Sequence, residues 1–297
     1  MPLLLSDQAH FVTAEDDYYF GCELSDRKVL STISLLREDD LIKALDLTRE
    51  MPVRFSLRDQ MSRVEYQGQR GTCVAFCINA VLEYKHRKDL SEQFTYWLAE
   101  SNDDNETEGL PLAWAAEFIR QHGTVAEELW PYSPAKNPDG VPPQQGPPPD
   151  AAVNGSRFRF DNTFRIDLTN VNDTKSVING RNLVMVAAPC FLNVGWFPGE
   201  PEYDRGNLRM PAQAAMTEFS MRAEYLSLRA GDFYAFDSAN DEGKKKNGWH
   251  AVPLVGYDDT VARFEFKNSW GGWGDVGYGT MPYEYVRSFC RDGIVGT

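Results

Sequence analysis

The 297-residue sequence has few cysteines: Cys22, Cys73, Cys77, Cys190 and Cys290, five in all and widely scattered. So sparse and odd a set builds no disulfide framework and suits a reducing compartment. No run approaches the roughly 18 apolar residues that cross a bilayer, so no membrane partner is expected. Positive charge is short as well, with 30 Lys and Arg against 44 Asp and Glu and a formal charge of -14. Polyanions reward an excess of Lys and Arg, which argues against nucleic acid and anionic membrane as main partners. Histidine is rarer still, at four. His10, His86 and His122 have no partners at metal-ligand spacing, so neither a metal nor another cofactor is expected. The opening Met1-Pro2-Leu3-Leu4-Leu5-Ser6-Asp7 has no basic lead and runs on to Glu15-Asp16-Asp17, unlike a secretory signal. Cytoplasmic residence is the expectation; export without a cleaved signal peptide is the alternative.

What is present is ordinary globular material, 42% hydrophobic and 25% charged, enough for one large domain or two packed lobes. Residues 29–47 read as an amphipathic helix, ended by Met51-Pro52-Val53. A second helix starts at Thr72 as N-cap, with Val74, Ala75, Phe76, Ile78, Ala80, Val81 and Leu82 making it apolar on nearly every side. Such a helix belongs inside a core. Lys85, Arg87 and Lys88 near its end suit the helix dipole. Further helices are expected over 91–100 and 111–121, the latter with Pro111 at its start and Gly123 just past its end. Residues 131–149, rich in Pro and Gly, read as a loop. Beyond Phe158 short strands dominate, at 184–194, 251–257 and 263–270. In the last, Phe264, Phe266 and Asn268 share one face, and Arg263, Glu265 and Lys267 the other. A helical first half and a β-rich second half would meet in a cleft, where sites form.

Nucleophilic catalysis by a thiol needs an ionised sulfur, a base within hydrogen-bond reach and a third group fixing the base's tautomer. Cys73 stands at the start of the buried helix, where the dipole favours thiolate. His250 opens a separate strand, and Asn268 points inward with Phe264 and Phe266. Cys77, one turn on, and Cys190 read as core thiols, and Lys244-Lys245-Lys246 as a solvated loop.

The surroundings of these residues sharpen the reading. Gln67-Gly68-Gln69-Arg70-Gly71-Thr72-Cys73-Val74-Ala75-Phe76 resembles the nucleophile segment of the papain-like (C1-type) cysteine peptidases. His250-Ala251-Val252-Pro253-Leu254-Val255-Gly256-Tyr257 resembles that family's histidine strand, and Lys267-Asn268-Ser269-Trp270-Gly271-Gly272-Trp273-Gly274 its asparagine segment. Met51-Pro52-Val53-Arg54-Phe55 is similar to the family's mature start, and Trp130-Pro131-Tyr132 and Gly109-Leu110-Pro111 fall where it has like pieces. The pieces follow the family's chain order, and its reactive-cysteine signature is a standard template.

The resemblance implies a papain-like α+β fold of two lobes, a helical N-terminal lobe and a β-rich C-terminal lobe, with the active-site cleft between them. It implies a peptidase domain over 51–297, preceded by an extension over 1–50 that is either a permanent strap or a propeptide-like inhibitory segment. It implies Cys73 as nucleophile, His250 as base, Asn268 as orienter, and Gln67 with the Cys73 N–H as oxyanion donors. Trp270 would shield the His250–Asn268 bond, with Ser269 and Trp273 structural. Peptides or proteins are the implied substrates; a transpeptidase or amidase using the same acyl-enzyme, and a non-catalytic binding module, are the alternatives.

Several positions depart from the pattern. Val74 replaces an aromatic residue, and Arg70 replaces a cysteine often found three residues before the nucleophile, which removes the usual neighbouring disulfide. Glu108-Gly109 stands where paired glycines are usual, so substrate preference does not carry over. Cys73 and His250 are 177 positions apart, against roughly 130–150 in the family. The surplus is expected in 196–231, which contains a helical-looking 212–228.

Overall fold

The computed structural model describes residues 22–35, 50–103, 109–134, 146–154, 157–191, 194–212 and 248–297. The described chain begins with a short strand, β1 (Cys22–Glu23), and a short helix, α1 (Arg27–Thr32), whose N-cap Asp26 accepts from the Val29 N–H. The helix expected over 29–47 therefore stops early. Ile33 is already extended, and Ser34 accepts a hydrogen bond from the Arg165 N–H, so pairing with a distant strand displaces the helix. Residues 36–49 lie outside the described residues.

After β2 (Arg54–Ser56) comes the central helix, α2 (Cys73–His86). Every residue from Cys73 to Glu83 is buried, as its all-round apolar pattern requires. Thr72 holds the N-cap position but makes no capping bond, because its hydroxyl is engaged by the Tyr132 OH at 2.8 Å. Helix α3 (Glu92–Glu100) is capped by Ser91, whose hydroxyl accepts from the Phe94 N–H. Strand β3 (Leu110–Pro111) leads into α4 (Leu112–His122), which Gly123 closes. The described parts of 131–149 are loop except Pro149, which starts α5 (Pro149–Asn154).

The second half supplies β4 (Thr163–Arg165), α6 (Val171–Asn179), β5 (Val184–Pro189), β6 (Trp249–Asp258), β7 (Arg263–Lys267), β8 (Tyr278–Pro282), α7 (Tyr283–Phe289) and β9 (Arg291–Gly296). Strand β5 ends sooner than its expected 194, at a proline that has no N–H to donate. One further rung follows, from the Cys190 N–H to the Gly248 oxygen. Strand β6 is longer than expected and takes in His250. Strand β7 stops at Lys267, although Asn268 stays buried. Of the expected surplus, 196–212 is irregular with one short turn at Tyr203–Arg205. Nearly all of the helical-looking 212–228 lies outside the described residues.

The described strands form one sheet ordered β3-β1-β6-β5-β9-β4, with β2 and β7 also on β6, and β8 beyond β7. Helix α2, which begins at Cys73, packs against β6, the strand that carries His250. Strand β1 falls within residues 1–50, yet it lies between the halves. Cys22 and Glu23 run parallel to Leu110 and Pro111, and Cys22 also faces Trp249, the residue before His250. Gly109 is what lets it approach: a Cβ there would come within 2.8 Å of the Glu23 side chain.

Candidate active site

Cys73 is the first residue of α2, so its N–H is among those left without a partner inside the helix, and the dipole's positive end lies at its sulfur. His250 is fully buried on β6, and its Nε2 lies 2.8 Å from Asn268 Oδ1. An amide oxygen only accepts, so Nε2 carries the proton and Nδ1 is the basic nitrogen. Nδ1 is buried and has no hydrogen-bond partner among the described residues. Asn268 is itself held, since Oδ1 also accepts from the Ser269 N–H and its own N–H donates to the Gly277 oxygen.

Gln67 sits on the cysteine side of the same seam. Its Oε1 accepts from Ser269 Oγ at 2.6 Å, and its Nε2 donates to the Arg70 oxygen at 2.9 Å. Ser269, read from sequence as structural, thus ties the asparagine segment to the Gln67 side chain.

Aromatic rings enclose the imidazole. Trp270, expected from the sequence beside the His250–Asn268 bond, lies 4.4 Å from the imidazole ring. Trp196 meets it edge-on at 5.9 Å, stacks on Trp273 at 5.7 Å, and donates from Nε1 to the Tyr285 OH. Sequence reasoning missed Trp196, taking it only as the start of a surplus. No local signal marks it, because its ring neighbours among the described residues, His250, Phe266, Trp270 and Trp273, are remote in sequence.

Burial sets the electrostatics. It pushes His250 down to about 4, with the Asn268 hydrogen bond opposing. The imidazolium therefore needs a thiolate beside it to exist near neutrality. Burial pushes the thiols of Cys22, Cys77 and Cys190 up, and charge on Cys73 pushes each further; burial also raises Cys290. All five cysteines are buried and none is in a disulfide.

Behind Asn268 lies a small cavity lined by Cys77, Glu83, Glu92, Lys267 and Ser269 among others. Lys267 Nζ donates to Ser62 Oγ, which donates to Glu83, so the cluster links the asparagine strand to the cysteine helix. Burial lifts Glu83 to about 7, against the nearby Lys267 charge and the Ser62 bond, and lifts Glu92 as well; burial lowers Lys267, against the Glu83 charge. Removing one partner of a buried pair costs about 3–5 kcal/mol. Lys267→Met should approach that cost at pH 8, as read by urea unfolding. A carboxyl with a raised folded pKa contributes stability below its unfolded pKa and loses it as pH rises. The deficit should therefore shrink at pH 5, where Glu83 holds its proton without the ammonium. A deficit that did not change with pH would mean that Lys267 acts only by packing.

Among the described residues, no group of three His, Cys, Asp or Glu is placed to hold a metal, and no helix is long and apolar enough to cross a membrane. His86 approaches the Arg159 oxygen, His122 packs on Phe118, and His10 lies outside the described residues.

A helical half presenting Cys73 and a β half presenting His250 and Asn268 constitute the papain-like cysteine peptidase fold. Among solved structures, the chain resembles xylellain, a cysteine protease from Xylella fastidiosa, at 18% identity and a TM-score of 0.69, over 97% of this chain and 99% of that one. It also resembles a recombinant stem bromelain precursor at 20% identity and a TM-score of 0.62, over 96% and 80% of the two chains. Among curated proteins, an uncharacterized peptidase C1-like protein of Acanthamoeba polyphaga mimivirus is 24% identical over 279 residues, 88% of this chain and 76% of the relative. No family model matches the sequence.

Proposed function

We propose that this protein is a cysteine peptidase that hydrolyses peptide bonds through an acyl-enzyme on Cys73. The observation that carries the reading is the His250 Nε2–Asn268 Oδ1 bond of 2.8 Å, which leaves Nδ1 as the base, with Cys73 opening the helix packed on the same strand. In this reading Nδ1 takes the thiol proton and the thiolate attacks the scissile carbonyl. The Cys73 N–H and Gln67 Nε2 receive the oxyanion, and the imidazolium protonates the leaving amine. Water then attacks the thioester, with His250 again as base. A binding module alone has no need of all four of Gln67, Cys73, His250 and Asn268, and the family-like fold supports peptides as substrates.

The test is incubation with a diverse peptide library and mass-spectrometric reading of the products. Cleavage at peptide bonds, lost in Cys73→Ala, supports the proposal; no cleavage by any form of the protein sinks it. Products that gain the mass of an added amine in preference to water would move the assignment to a transpeptidase.

Two variants test the roles. Gln67→Ala should lower kcat by about 100- to 1000-fold and barely move KM, since an oxyanion donor acts in the transition state. Unchanged kcat would remove Gln67 from the oxyanion role. Asn268→Ala should lower turnover by about 10- to 100-fold without abolishing it, because the residue orients the base and transfers no proton. Complete loss in a folded Asn268→Ala protein would contradict a purely orienting role.

We propose further that the extension acts as a guard. Strand β1 lies against Trp249, next to His250, and Gln67, Cys73 and His250 have no exposed surface.

A further inference from the structure

Arg70 is a buried cation, 3% exposed, three residues before the proposed nucleophile. Its Nη1 donates to Gln93 Oε1 at 2.7 Å and to the Ser133 oxygen at 2.8 Å. The guanidinium lies over the rings of Tyr132, at 4.8 Å, and Tyr96, at 5.3 Å. Among the described residues no carboxylate comes within ion-pair reach of it. A guanidinium out of water and held only by neutral oxygens and ring faces is an expensive feature. Its neighbours point to a purpose.

The Tyr132 hydroxyl donates to the Gln67 oxygen at 2.7 Å and accepts from Thr72 Oγ1 at 2.8 Å, so it spans both ends of the turn that runs into α2. Inside that turn the Arg70 carbonyl accepts from Gln67 Nε2 and from the Thr72 N–H, each at 2.9 Å. Segment 131–134 rests directly on the turn at Gly68 (φ +64°), where a Cβ would fall 2.2 Å from the Pro134 oxygen. The Arg70 side chain thus fastens the segment carrying Tyr132, while its carbonyl holds the side chain of Gln67. At one end of the turn is Gln67 Nε2, and at the other the Cys73 N–H.

We propose that Arg70 and Tyr132 are positioning residues that set the separation of these two oxyanion donors, doing by a cation and a phenol what a covalent cross-link at position 70 would otherwise do. The inference rests on the peptidase reading. A misplaced donor loses more of its effect on a developing charge than on the neutral ground state, and misplacement by about 1 Å can cost on the order of 100-fold.

A peptide aldehyde isolates this effect without turnover. The Cys73 thiolate adds to the aldehyde carbon and a C–S bond forms. The C=O π pair moves onto oxygen, and His250 supplies the proton it takes up. The full-length protein is brought to equilibrium with N-acetyl-phenylalanyl-glycinal, and the dissociation constant is measured. Iodoacetamide, whose displacement reaction makes no oxyanion, is the control on the same thiol.

Tyr132→Phe keeps the ring under the guanidinium and should weaken the aldehyde by about tenfold, with Arg70→Met at least as severe. Neither should change the alkylation rate of Cys73 by more than about twofold. In a Gln67→Ala background, Tyr132→Phe should cost less than about twofold, because the donor it positions is gone. Unchanged aldehyde affinity in folded Tyr132→Phe protein would overturn the inference, as would equal losses with and without Gln67. Parallel losses in alkylation would overturn it too, by showing general disruption. Absence of any adduct on the unmodified protein, together with no alkylation of Cys73, would overturn the peptidase reading and this inference with it.

Discussion

Cys73→Ala should leave the protein folded and lower peptide hydrolysis by a factor on the order of a million. Such a loss is larger than any packing defect could give. Removing one buried sulfur costs about 1 kcal/mol, a small part of the stability of a chain this size, so a melting curve separates the two effects. The other four cysteines make the assignment sharper. Burial holds Cys22, Cys77, Cys190 and Cys290 protonated, and a protonated thiol is a poor nucleophile. At pH about 6, limiting iodoacetamide should therefore modify Cys73 before any of them, as peptide mapping would record. Because Cys73 has no exposed surface, its labelling should be limited by opening of the cleft and faster when a cleft blocker is removed. Earlier modification of any other cysteine would take the nucleophile role away from position 73.

How far the sequence speaks for itself differs from element to element. Helix α2 was legible because residues 74–82 are apolar on every side, and only a helix deep in the core satisfies that. The β7 pattern was legible because Phe264 and Phe266 alternate with charged residues. The order of the glutamine, cysteine, histidine and asparagine segments could be read because each carries its own neighbours with it. Residues 33–35, expected within a helix over 29–47, were misread for a physical reason. An amphipathic stretch must lay one face on a core, but whether as helix or extended chain depends on its partner. Here that partner, Arg165, is far along the chain. Thr72 shows the same limit on a smaller scale: a hydroxyl suited to capping was claimed by Tyr132. Lys267, with Glu83 and Glu92, was illegible because a charged residue in a strand reads as solvated unless its buried partners are known. Trp196 and the Arg70 side chain belong with it, since the groups they touch lie in segments remote in sequence.

A protein shortened to begin at Met51 should fold, melt at a lower temperature and cleave peptides at least about tenfold faster than the full chain. Strand β1 pairs with Leu110 on one side and Trp249 on the other, so if it guards the cleft a peptide reaching Cys73 has to displace it. A site open only part of the time shows an affinity reduced by the open fraction. A closed form favoured by about 1.4 kcal/mol already gives a tenfold penalty. The stability loss has a separate source, because removing the segment uncovers the surfaces now covered by Cys22 and Ile33, both buried, and breaks the Ser25 bond to Asp292. Two measurements divide the possibilities. If the extension guards the cleft, kcat/KM for a peptide and the iodoacetamide rate at Cys73 should rise together, since both wait on the same opening. If it is only a strap, the shortened protein should be less stable with neither rate increased. A rise in alkylation without a rise in peptide cleavage would show that β1 covers the sulfur but does not lie where the substrate binds.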